Sequence, residues 1–286
     1  MLANPQNIVK KVVFILSESQ SGSTWLSYVL GSHRDAVHLG EFYKPFTLPD
    51  HVACRLCEAK GIECEFLHDI DKVKIEDAYE FAFERFQKPT LIDCSKQLDW
   101  LTNFINSNTF QVKVIHLIRD PRAWFASVKR RDINLTADTA MTRWINANAN
   151  ISKTIKDLSL PYVTAFYDEL CIKPDHYFPN DVSEYIGMPF EENALNYWEK
   201  EHHGLGGNGA AFNNLKGYAH SKIITGDDKF YIQHAEERFY DSRWLEELSS
   251  SERNSIENSS IVREYLALHA RDFVHFDMLL RDVKNF

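Results

Sequence analysis

At 286 residues, 44% of them hydrophobic and 26% charged, the chain is long enough to bury a sizeable core. No apolar run approaches the length of a membrane-spanning helix, and the opening MLANPQNIVKK lacks the apolar stretch of a signal peptide, so we expect a cytoplasmic protein away from membranes. The formal net charge of −9 argues against nucleic acid as a partner. A single domain over residues 1–286, with an insertion at about 48–88, is the simplest expectation.

The first informative stretch is KKVVFILSESQSGSTWLSYVL. An apolar run ends at Leu16, a segment of small polar residues covers Ser17–Thr24, and an amphipathic run begins at Trp25. This order predicts a strand, a tight loop and a helix, and the helix N-terminus offers unpaired N–H groups to an anion. The loop lacks the lysine of a Walker A motif, which disfavours ordinary nucleoside-triphosphate hydrolysis.

Glu41 is the candidate general base in the segment after the first predicted helix. It stands beside Gly40 and is followed by aromatic residues and by Lys44. A carboxylate enclosed by aromatic side chains tends to have a raised pKa, which suits general-base work. A solvated loop glutamate is the competing interpretation, and His38 and His33 are the next candidates for the base.

Three of the five cysteines form a C-x2-C-x6-C pattern at Cys54, Cys57 and Cys64. Without a secretion signal, this pattern indicates reduced thiols or a metal site rather than a disulfide framework. With His51 or His68 as the fourth ligand, it predicts one structural zinc ion. The alternative is a thiol-lined insertion that packs without metal.

A short helix is predicted over Glu76–Phe86, and the strand-like LIDCSK (Leu91–Lys96) follows it. Lys96 then lies where a strand delivers side chains to the ligand edge of an open α/β sheet. Helical spacing resumes over Leu98–Ile105.

The second informative stretch is VKVIHLIRDPRAWFASVKRR. The strand ends at Arg119, Pro121 occupies a favoured first-turn position, and Ser127 lies about two turns along the helix that follows. Arg119 and Ser127 can therefore face one phosphate, with the arginine as a bidentate donor. An Arg119–Asp120 pair that caps the helix is the alternative.

Further along, helical spacing over Thr139–Leu158, a strand over Pro161–Tyr167, a glycine-rich loop over Tyr197–Phe212 and helices over Arg243–Leu268 are predicted. Ser249 to Glu252 has the pattern of a capping box. The alternation of strands and helices predicts an α/β fold: a P-loop-like parallel sheet with helices on both faces, a small cysteine-containing insertion and a helical C-terminal part.

Together, the two stretches resemble sulfotransferases that use 3′-phosphoadenosine 5′-phosphosulfate (PAPS). SQSGST (Ser19–Thr24) is similar to the family's 5′-phosphosulfate loop, and RDPR through Ser127 is similar to its 3′-phosphate element. Further family segments are similar to LIDCSK, to FYDEL, and to HHGLGGN with DSRW. The resemblance therefore covers most of the chain. The cysteine insertion also resembles one in bacterial-type members.

The resemblance implies a role for each matched residue. PAPS would be the co-substrate and 3′-phosphoadenosine 5′-phosphate (PAP) its product. Glu41 would be the catalytic base, Lys96 would stabilise the leaving phosphate, and Tyr167 would lie near the nucleotide. The donor-binding set would comprise Gln20, Ser21, Gly22, Ser23, Thr24, Trp25, Arg119, Ser127 and Tyr167. Gln20 departs from the family, which usually has Lys or Arg there, so less positive charge would reach the leaving group.

Two other functions remain open at this point. A nucleotide or nucleoside kinase would need magnesium and a P-loop lysine, and a non-catalytic module would only keep the nucleotide pocket. The chain has 41 acidic and 32 basic residues and no basic run. We therefore expect a small soluble acceptor, neutral or cationic, with a hydroxyl, amine or guanidine group. A secondary metabolite would fit this description.

Overall fold

The computed structural model describes residues 9–48, 53–215 and 226–283. Its centre is a five-stranded parallel sheet of order β2-β3-β1-β4-β5, flanked by helices, which confirms the predicted α/β class. The strands are β1 (Lys11–Leu16), β2 (Ala36–Gly40), β3 (Thr90–Asp93), β4 (Gln111–Ile118) and β5 (Tyr162–Phe166).

Four of the strands follow the apolar runs of the sequence, and β2 is an addition to them. Every residue of β1 from Val12 onward is buried, as a central parallel strand requires. β1 pairs with β3 with Val13 opposite Ile92, and β2 pairs with β3 with His38 opposite Ile92. β2 is short and contains His38, so its apolar pattern is too weak to stand out in the sequence.

Each predicted helical segment contains helices that agree with it within a few residues, and the helical C-terminal part is confirmed. Several short helices were not predicted; one of them, Gly209–Phe212, lies at the end of the predicted glycine-rich loop and is capped by the Asn208 side chain. Local capping explains several of their starts. Asp120 caps the helix Pro121–Lys129 and accepts from the Arg122 N–H, and Ser249 with Glu252 forms the expected capping box of the helix Ser250–Asn258. The helices of the first half are α1 (Ser23–Gly31), α2 (Lys44–Thr47), α3 (Arg55–Lys60), α4 (Ala78–Phe86), α5 (Leu98–Thr102), α6 (Pro121–Lys129) and α7 (Ala137–Asp157). Those of the second half are α8 (Tyr167–Ile172), α9 (Pro174–Tyr177), α10 (Glu184–Ile186), α11 (Gly209–Phe212), α12 (Gly226–Gln233), α13 (Trp244–Glu247), α14 (Ser250–Asn258), α15 (Ser260–Ala267) and α16 (Phe273–Val283).

The chain divides into two compact units. The first comprises Met1–Leu16, Thr24–Val114 and Glu191–Glu237, and the second comprises Ser17–Ser23, Ile115–Phe190 and Arg238–Phe286. The description as a single domain stays a prediction.

The core of the first unit contains an aromatic group around Tyr79. Its ring packs against Phe14 and Phe42, and its hydroxyl donates to Asp93 over 2.6 Å. The Trp100 indole N–H in turn donates to the Tyr79 oxygen over 2.8 Å, so these buried polar atoms have partners.

The core of the second unit contains a buried arginine. Arg122 is 2% exposed; it pairs with Asp120 over 2.8 Å and with Asp277 over 2.7 Å, and its guanidinium lies over the Trp244 ring. Opposite charges around Arg122 keep its charge from being left unpaired in the interior.

Within residues 9–48, 53–215 and 226–283, no helix combines the length and the apolar character needed to cross a bilayer.

Candidate functional site

The loop Ser17–Ser23 of the second unit is shaped by its backbone. Gln20 and Gly22 have φ angles of 69° and 91°, in the left-handed region. A Cβ on Gly22 would lie 2.3 Å from Cδ2 of Tyr167, closer than any real contact. Glycine is therefore required here both for the conformation and for the close approach of the Tyr167 ring.

Arg119 and Trp124 bind carbonyl groups of this loop. Arg119 Nη1 donates to the Gln20 carbonyl over 3.0 Å, and Trp124 Nε1 donates to the Ser19 carbonyl over 2.7 Å. The Arg119 guanidinium also lies 5.0 Å from the centre of the Tyr167 ring. The Arg119 guanidinium thus brings a positive charge next to Gln20, whose own side chain is uncharged. The structure brings Arg119, Tyr167, Gln20 and Gly22 together.

Three of the four serines of the loop, Ser17, Ser21 and Ser23, are buried, whereas Ser19 is exposed. Ser21 is 1% exposed, and among the described residues its Oγ atom has no hydrogen-bond partner. Ser23 is buried at the first turn of α1, and Ser127 is buried on α6. A buried hydroxyl without a partner at the start of a nine-residue helix is a feature of sites that accept an anion.

A carboxylate supports the Arg119 side of the loop. Asp168 accepts a hydrogen bond from the Asp120 N–H over 2.7 Å and from the Tyr240 hydroxyl over 2.7 Å. Burial, together with the neighbouring Asp120 charge, raises the pKa of Asp168 to about 6. Asp241 lies 3.9 Å from Arg119 Nη2 and forms an ion pair with that guanidinium.

In the first unit, Glu41 forms a three-residue charge cluster with Lys96 and Lys44. Its Oε1 accepts from Lys96 Nζ over 2.6 Å, and its Oε2 lies 2.6 Å from Lys44 Nζ. All three side chains are less than one fifth exposed. Lys96 has a φ angle of 65°, in the left-handed region, and its Nζ also donates to the Cys94 carbonyl over 3.2 Å.

The expectation of a raised pKa for Glu41 is wrong. Burial by itself would raise the pKa, but the ion pair with Lys96 and the hydrogen bonds from Lys44 and Lys96 outweigh burial and lower the pKa to about 2. In this arrangement Glu41 is an ionised carboxylate held by two ammonium groups. The aromatic residues beside Glu41 in the sequence suggested a raised pKa. The pKa is lowered instead because the fold brings two ammonium groups to the carboxylate.

The two histidines considered as other bases are buried. His38 Nδ1 lies 2.6 Å from Ser27 Oγ, and burial lowers the pKa of His38 well below its usual value. Burial also lowers the pKa of His33, whose Nε2 lies 3.4 Å from Glu191. Both are neutral side chains at neutral pH and are held by neighbours inside the first unit.

Thr24 and Glu41 are both contacted by the segment Gly204–Asn208, which we call the strap. The Glu41 N–H donates to the Leu205 carbonyl over 2.6 Å, and the Asn208 N–H donates to Thr24 Oγ1 over 3.1 Å. A Cβ on Gly206 would lie 2.6 Å from Lys44 Nζ and 3.0 Å from Glu41 Oε2. The glycines of the strap therefore let its backbone lie directly on the charge cluster. Trp25, next to Thr24, is half-buried.

The cysteine insertion forms a four-ligand group with a histidine from outside it. The Nδ1 atom of His203 lies 3.9 Å from the Cys54 sulfur, 3.5 Å from that of Cys57 and 3.6 Å from that of Cys64. The four ligand atoms all lie within 4.8 Å of one another. The expected histidine ligands are corrected accordingly: His68 contacts the Glu65 carbonyl and Asp69 instead, and His51 lies outside the described residues.

Two solved structures resemble this one. A sulfotransferase domain from the curacin biosynthetic pathway matches with a TM-score of 0.51 at 16% identity, covering 80% of this chain and 98% of that domain. A sulfotransferase domain from the Synechococcus PCC 7002 olefin synthase matches with a TM-score of 0.47 at 18% identity, covering 80% of this chain and 96% of that domain. No family model matches the sequence, and no curated protein matches it.

The chain has a sulfotransferase-type fold. At 16% identity the likeness shows the fold alone, and this conclusion rests on the curacin-pathway domain. Within this sulfotransferase-type fold, the sequence missed His203, Lys44 as a partner of Glu41, and the carboxylates Asp168 and Asp241. The available signal for His203 was the pair His202–His203, which is followed by four glycines in six residues. Nothing in the sequence linked it to cysteines about 140 residues earlier.

Proposed function

We propose that the protein is a PAPS-dependent sulfotransferase that moves the sulfuryl group to a hydroxyl group, or to an amine or guanidine nitrogen, of a small soluble acceptor. The observation that carries this proposal is the contact between Arg119 and the Gln20 carbonyl, 99 residues apart. It joins two sequence elements that resemble the donor-binding motifs of one family, and the fold agrees with that family.

The donor would be held by loop atoms and by Arg119. We assign the 5′-phosphosulfate to the N–H groups and hydroxyls of Ser21–Thr24, since helix N-termini favour anions and the buried Ser21 hydroxyl lacks a partner among the described residues. Gln20, Gly22 and Trp25 complete this part of the donor set. Arg119 and Ser127 would bind the 3′-phosphate, and the Tyr167 ring, which already lies against Gly22, would pack near the nucleotide.

The reaction forms a bond from the acceptor oxygen or nitrogen to sulfur and breaks the bond from sulfur to the oxygen of the 5′-phosphate. The electron pair of the broken bond leaves with PAP, and the acceptor's proton passes to Glu41. Negative charge builds on the leaving phosphate, so catalysis is mainly positioning and electrostatic stabilisation, and the reaction needs no metal for this balance.

Lys96 would act on both sides of this transfer. While its ammonium group contacts Glu41, the pKa of Glu41 is about 2 and the carboxylate is a weak base. If Lys96 moves to the leaving phosphate when the donor binds, Glu41 loses a cation, its pKa rises, and it becomes a stronger base. The same movement would supply the positive charge that Gln20 lacks.

The acceptor proposal rests on the net charge of the chain and on the origin of the solved neighbour. The chain has a net charge of −9, which is unsuited to sulfated polysaccharides and favours neutral or cationic small molecules such as secondary metabolites. The solved neighbour that shares the fold comes from a biosynthetic pathway, which agrees with this class. We propose that the reaction takes place in the cytoplasm, because none of the five cysteines forms a disulfide.

The first test is to incubate the purified protein with PAPS and a mixture of small hydroxylated and amine-bearing compounds, and to measure PAP and sulfated products by mass spectrometry. We expect PAP formation that depends on the acceptor and continues in EDTA. Magnesium-dependent turnover of ATP would instead indicate a kinase. Binding of PAP without any turnover would indicate a non-catalytic module.

The second test concerns the acceptor class. kcat/KM is compared for small neutral or cationic alcohols and amines, for heparan-type oligosaccharides and for tyrosine peptides. We expect the small compounds to be preferred, and a preference for either polymer class would overturn that part of the proposal.

A further inference from the structure

The four ligand atoms of Cys54, Cys57, Cys64 and His203 have the spacing of a tetrahedral zinc site. Zinc–sulfur bonds of about 2.3 Å and a zinc–nitrogen bond of about 2.0 Å place sulfur and nitrogen about 3.5 Å apart in a tetrahedron. The observed distances from His203 Nδ1 to the three sulfurs are 3.9, 3.5 and 3.6 Å. The distances from His203 Nδ1 to the three sulfurs therefore agree with those of a tetrahedral zinc site, and all four ligand atoms lie within 4.8 Å of one another.

The chemistry of the set also selects the metal and its role. Three thiols and one imidazole are typical of structural zinc, and four protein ligands leave no position for water or substrate. The other ring nitrogen of His203 lies 3.7 Å from a Glu201 carboxylate oxygen, the kind of outer partner that orients a ligating histidine.

His203 directly precedes the strap in the chain. The strap is also contacted by the insertion, through the ligand Cys54 and its neighbour Arg55. Cys54 forms an antiparallel bridge with Leu205, the Arg55 N–H donates to the Gly204 carbonyl over 3.4 Å, and Arg55 Nη2 donates to the Gly207 carbonyl over 3.1 Å. Three ligands thus come from the insertion and the fourth from the base of the strap.

The strap in turn lies on the Glu41 end of β2. The Leu205 N–H donates to the Leu39 carbonyl over 2.9 Å and its carbonyl accepts from Glu41. The strap contains three glycines, at 204, 206 and 207, and glycine-rich backbone loses the most conformational freedom when it is ordered. A restraint at its base would favour the ordered arrangement.

We propose that one zinc ion, bound by Cys54, Cys57, Cys64 and His203, ties the strap to the insertion and thereby holds Gly204–Asn208 on Glu41 and Lys44. The ion is a structural cross-link between segments about 140 residues apart. The proposal does not depend on the identity of the donor or on sulfuryl transfer.

The first measurement is the metal content of the full chain, purified without added metal or chelator. We expect one zinc per chain, and Co²⁺ substituted for it should show the absorption of a tetrahedral thiolate site. His203→Ala should lose zinc, whereas His203→Cys should retain it. His68→Ala is the matched control, since it removes a histidine of the insertion that lies outside the group, and it should keep the full zinc content.

The second measurement is amide hydrogen exchange with and without the metal. Removing zinc from the wild-type chain with a chelator should speed exchange at the Glu41, Leu205 and Asn208 amides by at least about tenfold, and adding Zn²⁺ should restore it. The amides of β1 should not change. Because this comparison uses the wild-type chain, it remains decisive even if His203→Ala fails to fold.

Three results would overturn the proposal. A zinc content near zero with three freely titratable thiols, or a disulfide between two of them, would remove the metal. Full zinc affinity in His203→Ala would remove the histidine from the ligand set. Unchanged exchange in the strap after complete zinc removal would show that the ion does not hold it.

Discussion

The loop Ser17–Ser23 and the charge cluster of Glu41, Lys44 and Lys96 are built by opposite means. Backbone conformation shapes the loop, through positive φ angles at Gln20 and Gly22 and through carbonyls that accept from Arg119 and Trp124. Side chains make the cluster, with one carboxylate between two ammonium groups at 2.6 Å each. A site shaped by backbone is recognisable in one continuous stretch of sequence, whereas opposed charges depend on which distant segments the fold brings together.

The largest expected effect is on the cluster. Glu41→Gln should lower kcat by about 10²–10⁴-fold and leave PAP affinity nearly unchanged, because a general base contributes that much to rate and does not bind the nucleotide. Single-turnover kinetics with PAPS and calorimetry with PAP measure the two quantities. The matched control is Glu84→Gln, at an exposed position of α4. Turnover within a few-fold of wild type would show that the base is elsewhere.

The next effect is on the loop. Arg119→Ala should remove most of the preference for PAP over AMP, because a charge-assisted contact to the 3′-phosphate contributes roughly 1.5–3 kcal/mol. Calorimetric titration of both nucleotides measures the difference. Arg263→Ala, which removes an exposed arginine of the same unit, should keep the preference. Equal binding of PAP and AMP by the wild-type chain would contradict the donor assignment.

A backbone substitution separates conformation from contact in the loop. Gly22→Ala should destabilise the protein by about 1–3 kcal/mol more than Gly61→Ala, since both positions have positive φ but only Gly22 faces a side chain. A Cβ there meets Tyr167 at 2.3 Å, while a Cβ on Gly61 meets nothing within 4 Å. Urea unfolding of the two variants makes the comparison. Similar losses would mean that the Tyr167 ring moves aside at no cost.

The smallest effect is the pH dependence of the cluster. In the folded protein the pKa of Glu41 is lowered from 4.5 to about 2, so its ion pairs stabilise fully above pH 4.5 and are lost as pH falls toward 2. The difference in free energy of unfolding between wild type and Glu41→Gln should therefore shrink over this window, by on the order of 1 kcal/mol. Urea unfolding at a series of pH values tests it, and a constant difference would contradict the ion-paired state.

Much of the fold was predictable because its signals are local. Residues within each element mark its start or end. Examples are the apolar run of β1, the strand that ends at Arg119 and the Asp120–Pro121 start of α6. β2 was missed because a five-residue strand containing His38 has too few apolar residues to show a pattern. The site residues named from the sequence stay predictions, although the structure brings several of them into contact.

The sequence by itself determined the strand, loop and helix around Ser17–Thr24, the strand and helix that meet at Asp120–Pro121, and the thiols of the insertion, since each depends on neighbours within a few residues. Only the tertiary structure decided that Lys96, 55 residues away, meets Glu41 and helps to lower its pKa, and that His203 rather than His68 completes the cysteine group. The physical reason is range. Backbone conformation and capping act within one or two turns, whereas ion pairs and metal ligands join side chains whose separation along the chain carries no signal.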